Sequence, residues 1–137
     1  MLDTNILIYI TTDHSWLDKN VTAILQDYGN QFCISAETLR ELVVAFNNKG
    51  FKTKQWKTCS EMIHSIENDY GVRVLPLDKN VMHTYSRLTL NELQGHKDPS
   101  DHVIISHAIT LKIPLISSDT RFPFYRKQGL DLIFNKK

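Results

Sequence analysis

The chain is poor in the residues that build unusual architectures. Of its 137 residues, two are cysteine, five glycine and four proline. Cys33 and Cys59 cannot form the multi-bridge framework that staples small secreted domains, so a reducing compartment, the cytoplasm, is expected. With 42% hydrophobic residues and little Gly or Pro, no segment reads as low-complexity or disordered. An excess of one charge is also missing. Sixteen Lys and Arg stand against 15 Asp and Glu, a formal net charge of +1. No global basic field draws this chain onto nucleic acid, and any such contact must come from local patches. No apolar run approaches the roughly 20 residues of a membrane helix. The ILIYI stretch at residues 6–10 is far too short and follows an acidic start, so no membrane partner is expected. The length suits a single domain over residues 1–137.

What is present is an alternation of short apolar runs with longer helical patterns, the mark of an α/β chain with a parallel sheet. Strands are expected near Met1–Asp3, Gln31–Ile34, Val72–Leu75, Pro114–Ser117 and Leu130–Phe134. Helices are expected at Asn5–Thr11, Trp16–Tyr28, Ala36–Asn48, Thr53–Asp69, Lys79–Leu93, Pro99–Leu111 and Arg121–Lys127. Ser35 and Asp78 precede helical runs as N-caps, and Gly71, Gly95 and Gly129 mark helix ends. The first strand is anomalous. Only Met1 and Leu2 precede Asp3, whereas strands usually have about five residues. Either that strand is very short or residues upstream of Met1 belong to it.

Four acids stand where such a fold places a ligand site. Asp3 opens LDTNIL, Glu41 lies in ISAETLRELVVAF, Asp101 in HKDPSDHVIISHAI, and Asp119 follows PLISS. Ligands of open parallel sheets bind beyond the carboxyl ends of the strands. Carboxylates gathered there repel one another unless a cation sits between them, and a hard divalent ion such as Mg²⁺ or Mn²⁺ suits oxygen donors. Each acid also has a structural account of its own. Asp98, with Pro99 at the first helical position, starts a helix whose positive end favours Asp101. Asp3 and Asp119 can cap the short helices after them, and Glu41 falls at the edge of a polar arc with Glu37. Capping explains the acids singly; a metal explains them together. Thr4, Asn5, Ser117 and Ser118 are placed to hold carboxylates from behind.

Basic residues form two local groups. Lys49, Lys52, Lys54 and Lys57 are interleaved with Phe51 and Trp56, which suits a phosphate backbone with stacked bases or a solvated helix corner. His96 and Lys97 adjoin the Asp98–Asp101 block, and Arg121 and Arg126 follow Asp119, within reach of a substrate phosphate. The spacing of His102 and His107 forms no zinc motif. Tyr9, Trp16 and the Val21–Leu25 stretch form either a partner groove or core.

Taken in order, the four acidic blocks resemble the PIN domain, and more particularly the VapC-type toxin ribonucleases of toxin–antitoxin pairs. LDTNILIY resembles the opening block, with Asp3 as its acid and Thr4 and Asn5 as the following polar pair. ISAETLRELVVA resembles the Ser-initiated helix, and the matching acid is Glu41 rather than Glu37. HKDPSDHVIISHAI resembles the third block, with Asp101 as the acid and Asp98 accessory to it. PLISSDTRF resembles the last block, with Asp119 as its acid and Ser117 where the family often has Thr. The resemblance implies a three-layer α/β/α sandwich with a parallel sheet ordered 3-2-1-4-5. It also implies a Mg²⁺ or Mn²⁺ centre on Asp3, Glu41, Asp101 and Asp119, and RNA cleavage by metal-activated water leaving a 5′-phosphate. A cognate antitoxin and a homodimer are the partners it implies.

Two other classes compete. A PIN-like module could bind RNA or protein without catalysis, which would be marked by a disrupted acidic set. A phosphoacceptor signalling domain needs adjacent acids after the first strand, a central acceptor Asp and a late Lys. LDTN offers one acid, and Asp78 reads as a cap.

Overall fold

The computed structural model describes residues 1–48 and 55–137. Strands β1 (Phe32–Ser35) and β2 (Val72–Leu75) pair in parallel, as do β3 (Leu115–Ser117) and β4 (Leu132–Phe134). The N-terminal residues join the two pairs. The Leu2 amide donates to the Cys33 carbonyl at 2.8 Å, while the Asp3 amide donates to Ile116 and the Ile116 amide to Met1, each at 2.9 Å. The spatial order is therefore β2, β1, Met1–Asp3, β3, β4. Counted by chain position, this is the expected 3-2-1-4-5. The first strand is reduced to one parallel bridge at Leu2.

Alternation along these strands gives the sheet two apolar faces. Leu2, Ile34 and Ile116 share one core with Leu42, Met62 and Ile66. Their neighbours Met1 and Leu115, together with Leu132, share a second core with Ile104, Ile105 and Tyr125. The first core is covered by α1 (Thr4–Thr11), α2 (Lys19–Gln26), α3 (Ala36–Asn47) and α4 (Cys59–Asn68). The second is covered by α6 (Pro99–Leu111) and the 3₁₀ segment Pro123–Gln128, with α5 (Lys79–Arg87) packed on α6. This is an α/β/α sandwich, as the sequence led us to expect.

Caps fix where the helices begin. Asp3, Asp18, Ser35, Thr58, Asp78 and Asp98 each accept from a first-turn amide. Three expected helices are shorter. The one expected from Trp16 begins at Lys19, because Asp18 is tied to the C-terminus. Its amide donates to Asn135 Oδ1 at 2.7 Å, and its Oδ2 accepts from the Lys136 amide at 2.8 Å. The run expected to reach Leu93 stops at Arg87, because Gln128 takes both backbone groups of Thr89, at 2.8 and 2.9 Å. Gly95 therefore closes a turn (φ 62°) rather than a helix. The segment expected at Thr53–Asp69 is helical from Cys59, and its expected start lies outside the described residues. After Asp119 the expected α-helix is a 3₁₀ segment.

Candidate metal centre

The acids converge on the carboxyl ends of the strands because each is tied to a strand end or a helix start. Asp3 follows the Leu2 bridge and caps α1, its Oδ1 accepting from the Thr4 amide at 2.9 Å. Its Oδ2 accepts from Ser117 Oγ, at the end of β3, at 2.7 Å. Ser35 ends β1 and caps α3, which places Glu41 over Thr4. The Thr4 hydroxyl donates to Glu41 Oε1 at 2.5 Å. Asp98 caps α6 through the Ser100 amide at 3.0 Å, setting Asp101 on its first turn. Asp119 receives the Arg121 amide at 2.9 Å, and its own amide donates to Ser117 Oγ at 3.1 Å.

Two groups of potential ligand atoms lie within 4.8 Å of one another among the described residues: Glu41, Asp98 and Asp101, and His96, Asp101 and Asp119. Asp101 is common to both. Asp3 belongs to neither, and both its oxygens are engaged by Thr4 and Ser117, but it shares their electrostatics. Burial foremost, with the charges of Asp101 and Glu41 adding to it, pushes the Asp3 carboxyl up to about 7 against the hydrogen bonds from Ser117 and Thr4. Burial and then Asp98, Asp119 and Glu41 push Asp101 up to about 7 as well. Glu41 is raised, by burial first and then by Asp98 and Glu37, although the Thr4 hydrogen bond opposes this. Burial would raise Asp119 too, but the Arg121 hydrogen bonds and charge outweigh it and hold that carboxyl below its ordinary value.

The remaining expected site residues fall into different places. Arg121 does not stand clear of the acids. Its Nε and Nη2 donate to the two oxygens of Asp119 at 3.0 and 2.7 Å, and Nη2 lies 3.6 Å from Asp101. His96 is buried behind Asp101 rather than presented to solvent, with Nε2 2.8 Å from Asp101 Oδ2. Lys97 and Asn5 are exposed. Lys52 and Lys54, with Lys49 and Phe51, lie outside the described residues. His102 Nε2 meets the His96 carbonyl at 3.0 Å, and His107 Nδ1 lies 2.8 Å from Ser35 Oγ. Burial holds both rings below the ordinary histidine range.

Three further residues shape the site, none of them assigned a role from the sequence. Glu37 bonds Ser100 Oγ and pairs with Arg40, and Arg40 in turn donates to Ser100 at 2.9 Å, which ties α3 to the start of α6. The three-residue spacing of Glu37 and Arg40 was a legible signal. Tyr125, whose hydroxyl lies 2.9 Å from His96 Nδ1, left none, because 29 residues separate the partners.

The donor set fits a hard divalent cation. It is rich in carboxylate oxygens, crowded enough to raise three of their pKa values, and supported from behind by Thr4, Ser117 and His96.

Known proteins share this fold. The structure is similar to that of VapBC2 from Rickettsia felis bound to a promoter DNA fragment, with a TM-score of 0.71, 20% identity, and 99% of this chain and 98% of that one covered. It is also similar to VapBC-1 from nontypeable Haemophilus influenzae, with a TM-score of 0.68, 25% identity and 100% and 98% covered. DNA-bound VapBC from Salmonella typhimurium aligns with a TM-score of 0.68, 20% identity and 98% and 96% covered. No curated protein matches the chain by sequence. The sequence model of the PIN domain matches residues 1–129, and this chain belongs to the PIN domain family.

Proposed function

We propose that this protein is a divalent-metal-dependent endoribonuclease, acting as the toxin of a toxin–antitoxin pair. The observation that carries the catalytic reading is the position of Asp101, shared by two groups of potential ligands at the sheet's carboxyl end. Asp101, Glu41 and Asp119 would hold the cation, with Asp98 at its rim and Asp3 set by Ser117 at its base. Mg²⁺ or Mn²⁺ there would activate water for attack on a phosphodiester and offset the charge that builds on the transferring phosphoryl group.

The chain's own residues prepare that chemistry. Thr4 and Ser117 fix the carboxylates of Glu41 and Asp3, so little reorganisation is needed when a cation binds. Arg121 neutralises Asp119 and is within reach of Asp101. With Asp119 engaged by a cation, the Arg121 guanidinium would be free to bind a substrate phosphate. Lys97 provides an exposed charge beside the same helix start, and Lys52 and Lys54 extend the substrate path in this reading.

The toxin reading is supported by the similarity to VapBC complexes. An antitoxin segment would dock on the face where Trp16, 53% exposed, stacks on Tyr9 at 6.0 Å beside the groove lined by Ile10, Leu17, Leu25 and Tyr70. A homodimer of single-domain chains in the cytoplasm completes the proposal. No helix among the described residues is long and apolar enough to cross a membrane.

A catalytically inactive RNA- or protein-binding module is the second reading. It is favoured by the Arg121 guanidinium, which supplies the acidic site with a positive charge of its own. Incubation with a panel of tRNA and rRNA fragments in Mn²⁺, Mg²⁺ or EDTA separates the two. Discrete metal-dependent cuts support the nuclease; retention of intact RNA by folded, metal-loaded protein supports the module.

A further inference from the structure

We infer that His96, held in place by Tyr125, is a positioning residue that determines which oxygen of Asp101 faces the cation. This rests on the reading of the acidic cluster as a cation site.

His96 has no exposed side-chain surface. Its two ring nitrogens have one hydrogen-bond partner each, Asp101 Oδ2 at 2.8 Å and the Tyr125 hydroxyl at 2.9 Å. A carboxylate that holds a cation is ionised and only accepts, so with the cation bound Nε2 of a neutral imidazole must carry the proton and donate to it. Nδ1 is then an acceptor, and the Tyr125 hydroxyl must donate to it. The same hydroxyl oxygen accepts the Asn91 amide at 3.1 Å, which turns its proton toward the imidazole. Tyr125 therefore braces the tautomer that the Asp101 carboxylate requires, and His96 sets the rotation of Asp101.

The ring itself has little freedom. His102 lies edge-on at 4.7 Å and Phe122 at 5.6 Å, and His102 Nε2–H donates to the His96 carbonyl at 3.0 Å. Oδ2 of Asp101 faces this inner wall, and Arg121 approaches the same oxygen. Oδ1 carries none of these contacts and is left for the cation. Because Asp101 belongs to both ligand groups, rotation of its carboxylate would disturb the whole centre. Histidine–carboxylate contacts one step behind a metal typically change metal affinity by about 10–100-fold when removed.

The test is Mn²⁺ affinity, read from the free-ion electron paramagnetic resonance signal, together with thermal melting. His96→Leu should weaken Mn²⁺ binding by about 10–100-fold, whereas His96→Gln, whose side-chain N–H can replace Nε2–H, should stay within about 3-fold of wild type. Tyr125→Phe, which keeps the ring but removes the hydrogen bond that holds His96 Nδ1, should weaken binding by roughly 3–10-fold. Wild-type affinity in a folded His96→Leu protein overturns the inference. Equal losses in His96→Leu and His96→Gln also overturn it, since they indicate direct ligation or packing. Should His96→Leu not fold, unchanged Mn²⁺ affinity in Tyr125→Phe overturns it. If wild type itself binds no Mn²⁺, the cation reading fails, and this inference fails with it.

Discussion

Asp3→Asn should make the metal-free protein increasingly more stable than wild type as pH rises from 5 to 8. The Asp3 carboxyl is pushed up to about 7 in the fold, mainly by burial, from an ordinary value of 3.8. Between those values the folded state holds a proton that the unfolded chain has released, so its contribution to stability falls as pH rises. For a single such group, the loss relative to low pH is about 2 kcal/mol at pH 5 and about 4 kcal/mol at pH 8. The step between is about 2–3 kcal/mol, or roughly 10 °C in Tm for a chain of this size. Asn retains an acceptor for the Thr4 amide and carries no titrating group. The difference between variant and wild type therefore removes the buried histidines, whose depressed pKa values change stability in the opposite direction. Urea unfolding in EDTA at pH 5, 6.5 and 8 measures that difference. A difference that stays constant, or moves against the variant as pH rises, refutes the claim that Asp3 is a strained buried acid.

Asp101→Asn should reduce cleavage by at least about 10³-fold while shifting metal-free stability by no more than about 1–2 kcal/mol, checked by matched kinetics and melts. Asp98→Asn should preserve the α6 cap, so stability stays within about 0.5 kcal/mol, but weaken Mn²⁺ binding, whereas Asp98→Ala should also lose about 1 kcal/mol. Arg121→Gln should tighten Mn²⁺ binding several-fold, because an internal competitor for Asp119 and a nearby positive charge are gone, and weaken RNA binding in the same protein. Isothermal titration reads the first effect and filter binding the second. Trp16→Glu should cost an antitoxin partner about 2 kcal/mol or more of affinity and leave RNA cleavage unchanged, measured on the co-expressed pair.

Much of the fold could be read from the chain because local rules agree with it. The α6 helix was legible at both ends, since Asp98, Pro99 and Asp101 form a strong start and the apolar run is continuous. Strand β2 was likewise legible, bounded by Gly71 and Pro76. The failures come from distant contacts. Nothing near Thr89 indicates that Gln128 will take its backbone groups, and nothing near Asp18 indicates the link to Asn135. At the centre, the acids could be picked out by their positions after apolar runs, and Glu41 by its place in the motif. That His96 is turned inward could not be seen, because its orientation depends on Tyr125 and Asn91. Nor did the sequence indicate that Asp3 would lie outside the two ligand groups, bonded to Ser117.

The most direct test of the central claim is a single cleavage experiment. Wild type and Asp101→Asn are incubated with an RNA panel in Mn²⁺ or EDTA, and the ends of any products are mapped. The account predicts discrete internal cuts with 5′-phosphate ends, made by wild type in Mn²⁺ and absent from the mutant and from EDTA. Intact RNA with folded, Mn²⁺-loaded wild type, or cleavage that persists in the mutant or in EDTA, would contradict it.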